Sequence, residues 1–238
     1  HAQVVANLLY LRFAFTTGDA AGHNMATLAA ERLLGWLEQQ HPELRYVSLS
    51  ANYCTDKKVS AVNGILGRGR HVIAETRVPA ALCRRMLRCP PARLVELHIK
   101  KNLLGSILAG SVRSANAHYA NMLLAFYLAT GQDAANIVEG SQGITHAEVT
   151  AAGDLYFSCS LPNLVVGTVG NGKDLPFVRE NLAALGCLAA RPPGANARRL
   201  AMIAAAVVLC GELSLLAALS QPGELMAVHT KLERQSRP

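Results

Sequence analysis

The sequence predicts an α+β fold in which helices predominate and the strands are short. Alanine and leucine, which favour helices, dominate a composition that is 51% hydrophobic and only 16% charged. Apolar residues recur at helical spacing in some segments and alternate with polar residues in others. The 238 residues suit one large domain or two small ones, and no repeat or long linker divides them.

The first third of the chain alternates between strand and helix signals. Residues 7–15 place Leu9, Leu11, Phe13 and Phe15 on one face, as a strand does. A polar turn follows, and His41-Pro42 ends the helix after it. The elements expected here are a strand at 7–15, a helix at 24–40, and strands at 45–50 and 70–78.

The rest of the chain predicts mostly helix around a few short strands. A glycine and an aspartate at residues 131–133 end a long apolar helical segment. The Arg191-Pro192-Pro193-Gly194 break precedes the most apolar segment. The expected helices are about ten residues ending at 87, then 93–104, 105–130, 175–185, 196–219 and 224–232, with strands at 144–150, 155–160 and 164–169.

Composition and charge narrow the classes of function. The net charge of +7 suits nucleic acid or an anionic cofactor, but the basic residues are scattered and aromatic residues are only 5%. Single-strand stacking platforms are therefore not expected, and a nucleic-acid-binding module is the least favoured class. A phosphate-rich small ligand fits this charge pattern as well as a polymer does.

The cysteines and the apolar runs indicate a reduced, non-membrane segment. None of the six cysteines forms a metal-ligand pair, so we expect buried thiols and no metal. Gly211 and Glu212 interrupt the most apolar window, which favours a core helix over a membrane span. The start lacks the pattern of a signal peptide, and its first residue, His1, suggests a processed or truncated chain.

One short polar segment, Asp56-Lys57-Lys58, follows a strand-like run and combines a carboxylate with two ammonium groups. Taken alone, such a triplet is more often a solvated turn. A lysine held beside a carboxylate can also serve as a fixed cation for a developing oxyanion. The two interpretations remain open on this segment alone.

Other candidate residues are scattered along the chain. The turn at residues 17–25, between a strand and a helix, can bring backbone N–H groups to a phosphate, or can be only a tight turn. The glycine-dense residues 167–173 can cradle a ligand or form a hairpin loop. His118 and Asn121 share a predicted helix face near Asp133, and His229 lies on the last helix. A core pair and a surface histidine are the plainer interpretations.

The order of these blocks resembles the catalytic region of the HMG-CoA reductase family, in the class typical of eukaryotes and archaea. The blocks that carry the resemblance extend over nearly all of the chain. They are residues 18–25 (GDAAGHNM), 52–58 (NYCTDKK), 116–121 (NAHYAN), 130–133 (TGQD), 167–170 (GTVG) and 211–215 (GELSL).

The resemblance implies a four-electron reduction of HMG-CoA to mevalonate and CoA with two NADPH, in the mevalonate pathway of isoprenoid biosynthesis. It implies that Lys57 stabilises developing negative charge on oxygen, that Asp133 lies in a network with it, and that His229 protonates the CoA thiolate. It assigns the HMG moiety to Ser50, Asp56, Lys58, Lys101 and Asn121. It assigns the dinucleotide to Asp19, Ala20, Ala21, Gly22, His23, Asn24, Met25 and Arg234.

The resemblance also implies an architecture. Residues 1–48 correspond to the C-terminal part of a small ferredoxin-like NADP-binding domain, and residues 60–238 to a mainly helical large domain for substrate and dimerisation. Residues 49–59 connect the two. The implied active site lies between subunits of a dimer, in the cytoplasm or facing it from an upstream membrane anchor.

Departures from the family pattern leave alternatives. The family's catalytic glutamate and a substrate arginine precede the point where this chain begins, so we expect the fragment alone not to turn over. Ala21 and His23 occupy positions that are usually methionine, and Glu233 one that is usually asparagine. The alternative is therefore a non-catalytic fragment or divergent relative that keeps the fold and the dimer contacts.

Overall fold

The structure, a computed structural model, describes residues 1–234, with side chains to residue 232. Its strands form two antiparallel sheets, and helices make up most of the rest, which confirms the predicted α+β class. The strands are β1 (Ala2–Val5), β2 (Leu8–Leu11), β3 (Arg70–Val78), β4 (Ile144–Val149) and β5 (Leu155–Leu164).

The helices account for most of the core. Several continue as π-helical turns (Cys83–Leu87, His98–Gly105 and Thr230–Arg234), and a 3₁₀ turn covers Ala134–Asn136. The α-helices are α1 (His23–Gln40), α2 (Ala61–Leu66), α3 (Ala80–Leu82), α4 (Pro91–Leu97), α5 (Ser106–Leu108), α6 (Tyr119–Ala129), α7 (Ile137–Gly140), α8 (Pro176–Ala184), α9 (Ala195–Leu219) and α10 (Glu224–His229).

The larger sheet has the order β3-β5-β4 and forms one wall of the core. Its central strand, β5, pairs along its length with both neighbours, and most of its side chains are buried. Leu155, Phe157, Cys159 and Leu161 alternate along one face and are fully buried, as a strand with one face on the core requires.

Helix α9 packs against this sheet and against α6. It is long and apolar enough to cross a membrane, yet half of its most apolar window is buried inside the protein. Small residues such as Ala201 and Ala204 are fully buried and allow close packing. Gly211 faces Met122 so closely that an added Cβ would collide with its Sδ, which explains a glycine in the middle of the helix.

One buried carboxylate joins α9 to the start of α6. Glu212, with no exposed surface, accepts hydrogen bonds from the backbone N–H groups of Ala117 (2.6 Å) and His118 (3.1 Å) and from the Thr145 hydroxyl (3.0 Å). Both N–H groups belong to the two residues just before α6, and the buried charge of Glu212 must be paired. The polar residue that interrupts the apolar window is therefore part of the core.

The first 48 residues form a β1–β2 hairpin followed by α1, and they are less buried than the rest. No residue of α1 is buried, and Met25 and Trp36 are each more than half exposed. The helix agrees with the prediction for 24–40. The predicted strand at 7–15 is shorter than expected. Only Leu8–Leu11 is in a strand, because only these residues pair with the antiparallel strand Ala2–Val5.

Two other predictions were wrong. Residues 45–50 form no strand, because no neighbouring strand pairs with them among the described residues and local bonds replace the ladder, such as Leu49 N–H to the Tyr46 hydroxyl (2.8 Å). The apolar residues 164–169 do not form a strand of their own. The first of them ends β5, and Val169 makes only a single parallel bridge, to Ala20.

The predicted long helix over 105–130 is also wrong. The chain leaves the helix after α5, and positive φ angles at Gly110 (+70°) and Arg113 (+48°) turn it away from helical geometry. Ala115 then pairs with β4 at Ile144. His118 consequently precedes α6 instead of sharing a helix face with Asn121, which lies in the first turn.

The Glu212 contacts lead to a stability prediction. Replacing Glu212 with Gln removes the charge and leaves at least one backbone N–H of the α6 start without its acceptor. We expect the free energy of unfolding to fall by about 2–3 kcal/mol, the scale of a lost hydrogen bond to a buried charged group. Urea unfolding followed by circular dichroism measures this. The exposed Glu180→Gln is the control, and equal midpoints for the two variants would contradict the anchoring role.

Candidate active site

Residues 52–58 form a loop whose backbone departs from ordinary geometry. Asn52, Thr55 and Lys57 all have positive φ, between +54° and +59°. Such angles are uncommon outside glycine and unfavourable for a β-branched residue such as Thr55. Strained backbone of this kind persists only where the surroundings hold it, and it concentrates at functional sites.

Buried amides hold both ends of the 52–58 loop. Asn63, which is fully buried, donates to the carbonyl oxygens of Thr55 (3.2 Å) and Lys58 (3.1 Å) and accepts from the Thr55 hydroxyl (2.5 Å). Gln142 forms a paired contact with the backbone of Ser60 just after the loop. The unusual angles are thus compensated by side-chain hydrogen bonds from α2 and from the segment before β4.

An ion cluster around the buried Glu139 supports this loop. Glu139, fully buried, receives the Arg68 guanidinium at 2.5 Å, the Asn136 amide at 2.6 Å and the backbone N–H of Lys57 at 3.3 Å. Arg68 also contacts Asp56 at 2.6 Å. Because a buried carboxylate must be compensated, these contacts fix the backbone of Lys57 relative to α7.

The Lys57 ammonium reaches a second carboxylate, that of Asp133, at 2.7 Å. The other Asp133 oxygen accepts the backbone N–H of Ala135 (3.1 Å), which begins the 3₁₀ turn. Both oxygens therefore have fixed partners. Both side chains remain partly exposed, at 39% for Lys57 and 37% for Asp133, so the pair is open to a ligand.

The pair is ionised over a wide pH range. The hydrogen bond to Asp133 raises the pKa of Lys57 despite partial burial. Partial burial alone would raise the pKa of Asp133, but the Lys57 hydrogen bond and the Ala135 N–H outweigh it and lower that pKa. The contact is therefore lost only as pH falls through the lowered pKa of Asp133 or rises through the raised pKa of Lys57.

Residues 19–25 form a turn that is attached to α9. The Asp19 carboxylate accepts the N–H groups of Gly194 (2.8 Å) and Ala197 (2.9 Å) at the start of α9. Burial opposes ionisation of Asp19, but these two bonds prevail and its pKa is lowered. Arg70 adds a bond to the Gly18 carbonyl (2.6 Å). The side chain of Asp19 thus positions the turn, and the backbone that follows lines a cavity.

The 167–173 loop packs against the same turn. A Cβ on Gly167 would overlap the Ala21 nitrogen and lie 2.7 Å from the Ala20 carbonyl carbon, so only glycine permits this approach. The Thr168 N–H donates to the Asp19 carbonyl at 2.8 Å. The turn and the loop are therefore in direct backbone contact.

The segment that carries Asp133 is tied to this loop as well. The Gln132 amide is buried and pairs with both the N–H and the carbonyl of Gly167 (2.8 and 3.0 Å). Lys173, only 7% exposed, donates to the Gly131 carbonyl, and burial lowers its pKa. Thus the turn, the 167–173 loop and Asp133 form one connected unit.

Two cavities flank this unit. The loop cavity, about 340 Å³, lies between β2, α1 and the 52–58 loop, with Ser50, Asp56 and Arg68 in its wall. The turn cavity, about 400 Å³, lies between the 19–25 turn and the 167–173 loop, with Asp133 in its wall. Among the cofactor residues expected from the sequence, Ala20, Ala21, Gly22, His23, Asn24 and Met25 all line the turn cavity.

The structure brings together only some of the other expected residues. Lys58 points its ammonium back to the Asp56 carbonyl (3.0 Å). Lys101, Asn121 and His229 lie on the π-helical segment after α4, on the first turn of α6 and at the end of α10, and they line neither cavity. The side chain of Arg234 lies outside the described residues.

Sequence reasoning missed the groups that support the site. Arg68, Asn63, Gln142 and Glu139 carry no motif of their own, because isolated polar residues are usually exposed. The sequence does contain one feature that could have indicated Arg68, because this arginine stands between Gly67 and Gly69. In the structure both glycines have positive φ angles, and Arg68 points towards Glu139.

Comparison with known proteins identifies relatives over nearly the whole chain. The family model described as hydroxymethylglutaryl-coenzyme A reductase matches residues 1–234. A 3-hydroxy-3-methylglutaryl-coenzyme A reductase of Pyrococcus abyssi is 50% identical over 232 residues, 97% of this chain and 56% of the relative. Reductases of the same name from Aeropyrum pernix (46% over 233 residues; 97% and 55%) and Phycomyces blakesleeanus (47% over 229; 95% and 19%) are also similar.

These matches cover the 52–58 loop, the 19–25 turn and the Asp133 segment together. The chain spans little more than half the length of the Pyrococcus and Aeropyrum relatives, and less of the fungal one. The full-length match to the family model, together with identities of 46–50%, shows that this chain belongs to the hydroxymethylglutaryl-coenzyme A reductase family.

Proposed function

We propose that the complete protein containing this chain reduces HMG-CoA to mevalonate and CoA with two NADPH. Family membership supports this reaction, and the Lys57–Asp133 pair is the observation that carries it. The proposed steps are reduction of the thioester to a hemithioacetal, loss of CoA, and reduction of the resulting aldehyde. Each reduction places negative charge on an oxygen, which a fixed cation stabilises.

Lys57 is the proposed cation. Its ammonium is held at 2.7 Å from Asp133 and its backbone N–H by the buried Glu139, so little reorganisation is needed when charge develops. Its raised pKa keeps it protonated at neutral pH. Asp133 orients the ammonium and keeps a compensating charge beside it. Glu139 supports this arrangement from below, since its Oε1 accepts from both Arg68 and Asn136.

The HMG moiety is proposed to bind beside the 52–58 loop. Ser50 and Asp56 line the loop cavity, and Lys58, two residues after Asp56, has an exposed side chain. A hydroxyl, a carboxylate and an ammonium suit a substrate that carries a hydroxyl and a carboxylate. Lys101 and Asn121 are proposed to complete the site of a second subunit, because they lie outside the two cavities of this one.

NADPH is proposed to bind in the turn cavity, and the geometry of the backbone there supports this. The closeness of Gly167 to the turn, and the lack of a side-chain cap at the start of α1, leave backbone N–H groups at the helix N-terminus for a phosphate. Residues 20–25 would hold the dinucleotide on one side and the 167–173 loop on the other. When bound, NADPH supplies the hydride. The preference for NADPH over NADH, and the contribution of Arg234, are part of the proposal.

The remaining roles follow from the family. His229, at the end of α10, is proposed to protonate the CoA thiolate, a task suited to an imidazole. The proposed assembly is a homodimer with the active site between subunits, facing the cytoplasm. The division into residues 1–48, 49–59 and 60–238 is likewise a proposal.

The first test removes the proposed cation. Lys57→Met in the complete protein keeps the length of the side chain but not its charge, and we expect kcat to fall at least about a hundredfold. NADPH oxidation with HMG-CoA, followed by absorbance, measures it. Lys100→Met is the matched control, because Lys100 is 68% exposed and its partner is Glu96. Normal turnover by Lys57→Met, or none by the unaltered protein, would refute the proposed function.

The second test concerns the cofactor turn. Gly167→Ala places a methyl group against the backbone of Ala20 and Ala21, so the turn must shift. We expect KM for NADPH to rise about tenfold or more, with a smaller effect on KM for HMG-CoA. Gly35→Ala, in open space on α1, serves as control and should behave as the unaltered protein. An unchanged KM for NADPH in Gly167→Ala would exclude the turn as the dinucleotide site.

A further inference from the structure

The residue between the two cavities is His23. Of the residues that the structure describes, it alone lines both the loop cavity and the turn cavity. It is the first residue of α1, directly after Gly22, whose φ of +97° turns the chain into the helix. Its imidazole is therefore placed where a ligand in one cavity would adjoin a ligand in the other.

The imidazole faces the 52–58 loop without a hydrogen bond. Its Nε2 lies 3.8 Å from Asp56 Oδ1, too far for a hydrogen bond but within the range of an ion pair. The same nitrogen is buried and has no hydrogen-bond partner in the structure. Burying an unpaired polar atom is unfavourable. A small movement of the turn towards the loop would give this nitrogen a partner and so lower the free energy.

The carboxylate within ion-pair distance of His23 is that of Asp56. The charged groups on the surrounding segments are two carboxylates and four cations. Two of the cations already have carboxylate partners, since Arg68 binds Asp56 and Glu139, and Lys57 binds Asp133. The groups are Arg12 after β2, Asp56 and Lys57 in the 52–58 loop, Arg68 before β3, Asp133 after α6, and Lys173 across the turn cavity.

We propose that His23 is a positioning residue that draws the 19–25 turn onto the 52–58 loop by pairing, when protonated, with Asp56. Apart from bonds within the turn and to α1, the hydrogen bonds of the turn and of Gly18 before it go to the 167–173 loop, to α9 and to Arg70. His23 is thus the one ion-pair contact from the turn to the 52–58 loop among residues 1–232. The inference rests on the proposed function, because it makes binding of the nicotinamide cofactor depend on the charge of His23.

The direction of the pH dependence follows from the pairing. A protonated imidazole favours the closed arrangement, so affinity for the cofactor weakens as rising pH removes the proton from the imidazole. The pair is partly exposed, and such ion pairs change equilibria by about two- to fivefold. Neighbouring Asp56 keeps its bond to Arg68 throughout, so the loop itself is not expected to unfold.

The test measures dissociation constants in the complete protein by nucleotide fluorescence between about pH 5.5 and pH 8.5. The unaltered protein is compared with His23→Gln, which keeps a donor of similar reach but cannot carry a charge. NADPH and NADH are measured in parallel, because the 2′-phosphate of NADPH itself titrates near about pH 6. We expect the unaltered protein to lose about two- to fivefold more affinity than His23→Gln as pH rises, with both nucleotides.

A double-mutant cycle with Asp56→Asn then identifies the partner. The effects of His23→Gln and Asp56→Asn on the dissociation constant should be coupled at about pH 6 and additive at about pH 8. Histidine NMR of the unaltered protein supplies a test that needs no variant: the titration of His23 should move to higher pH when NADH binds.

Each result decides between specific alternatives. A His23-dependent difference seen with NADPH but not with NADH would assign the imidazole to the phosphate and overturn the proposal. Identical pH profiles for the unaltered protein and His23→Gln, or additivity at both pH values, would also overturn it. If neither nucleotide binds, the proposed function fails together with it. If both bind without a His23-dependent component, only the present inference fails.

Discussion

The buried carboxylate of Glu139 is the interaction on which the geometry of the site depends. It lies under a loop with three positive φ angles and contacts that loop through the Lys57 N–H and, via Arg68, through Asp56. A loop with such angles would relax if it were only solvated. Asn63 and Gln142 support its ends, but the charged contact in the middle determines where the Lys57 side chain leaves the backbone.

A second set of contacts connects this loop to the proposed cofactor turn. Asp133 forms an ion pair with Lys57, and its neighbour Gln132 forms two hydrogen bonds with the backbone of Gly167. Gly167 in turn lies against the 19–25 turn. Asp19 fixes the far side of the turn to α9. The turn that is proposed to bind the cofactor and the proposed oxyanion cation are thus connected by a continuous series of short contacts, which fixes their relative positions.

The sequence predicted the residues at the centre of the site better than those that hold them. Alternation and helical spacing identified β3, α1 and α9, because each buries or presents one face along its length. The same patterns predicted the wrong structure at residues 45–50, where no strand is available for pairing among the described residues. They also did so at residues 105–130, where positive φ angles interrupt the helix. The resemblance to a family located Lys57 and Asp133. Glu139 was not predicted, because its role depends on contacts between segments that are far apart in sequence.

The most direct test of the central claim is the turnover of Glu139→Gln in the complete protein. Glutamine preserves shape and removes the charge that Arg68 and the Lys57 N–H share. We expect kcat for NADPH-dependent reduction of HMG-CoA to fall by about tenfold to a hundredfold, with little change in KM for NADPH and a thermal unfolding midpoint that shows a folded protein. An unchanged kcat in folded Glu139→Gln would contradict the claim that this buried carboxylate positions Lys57.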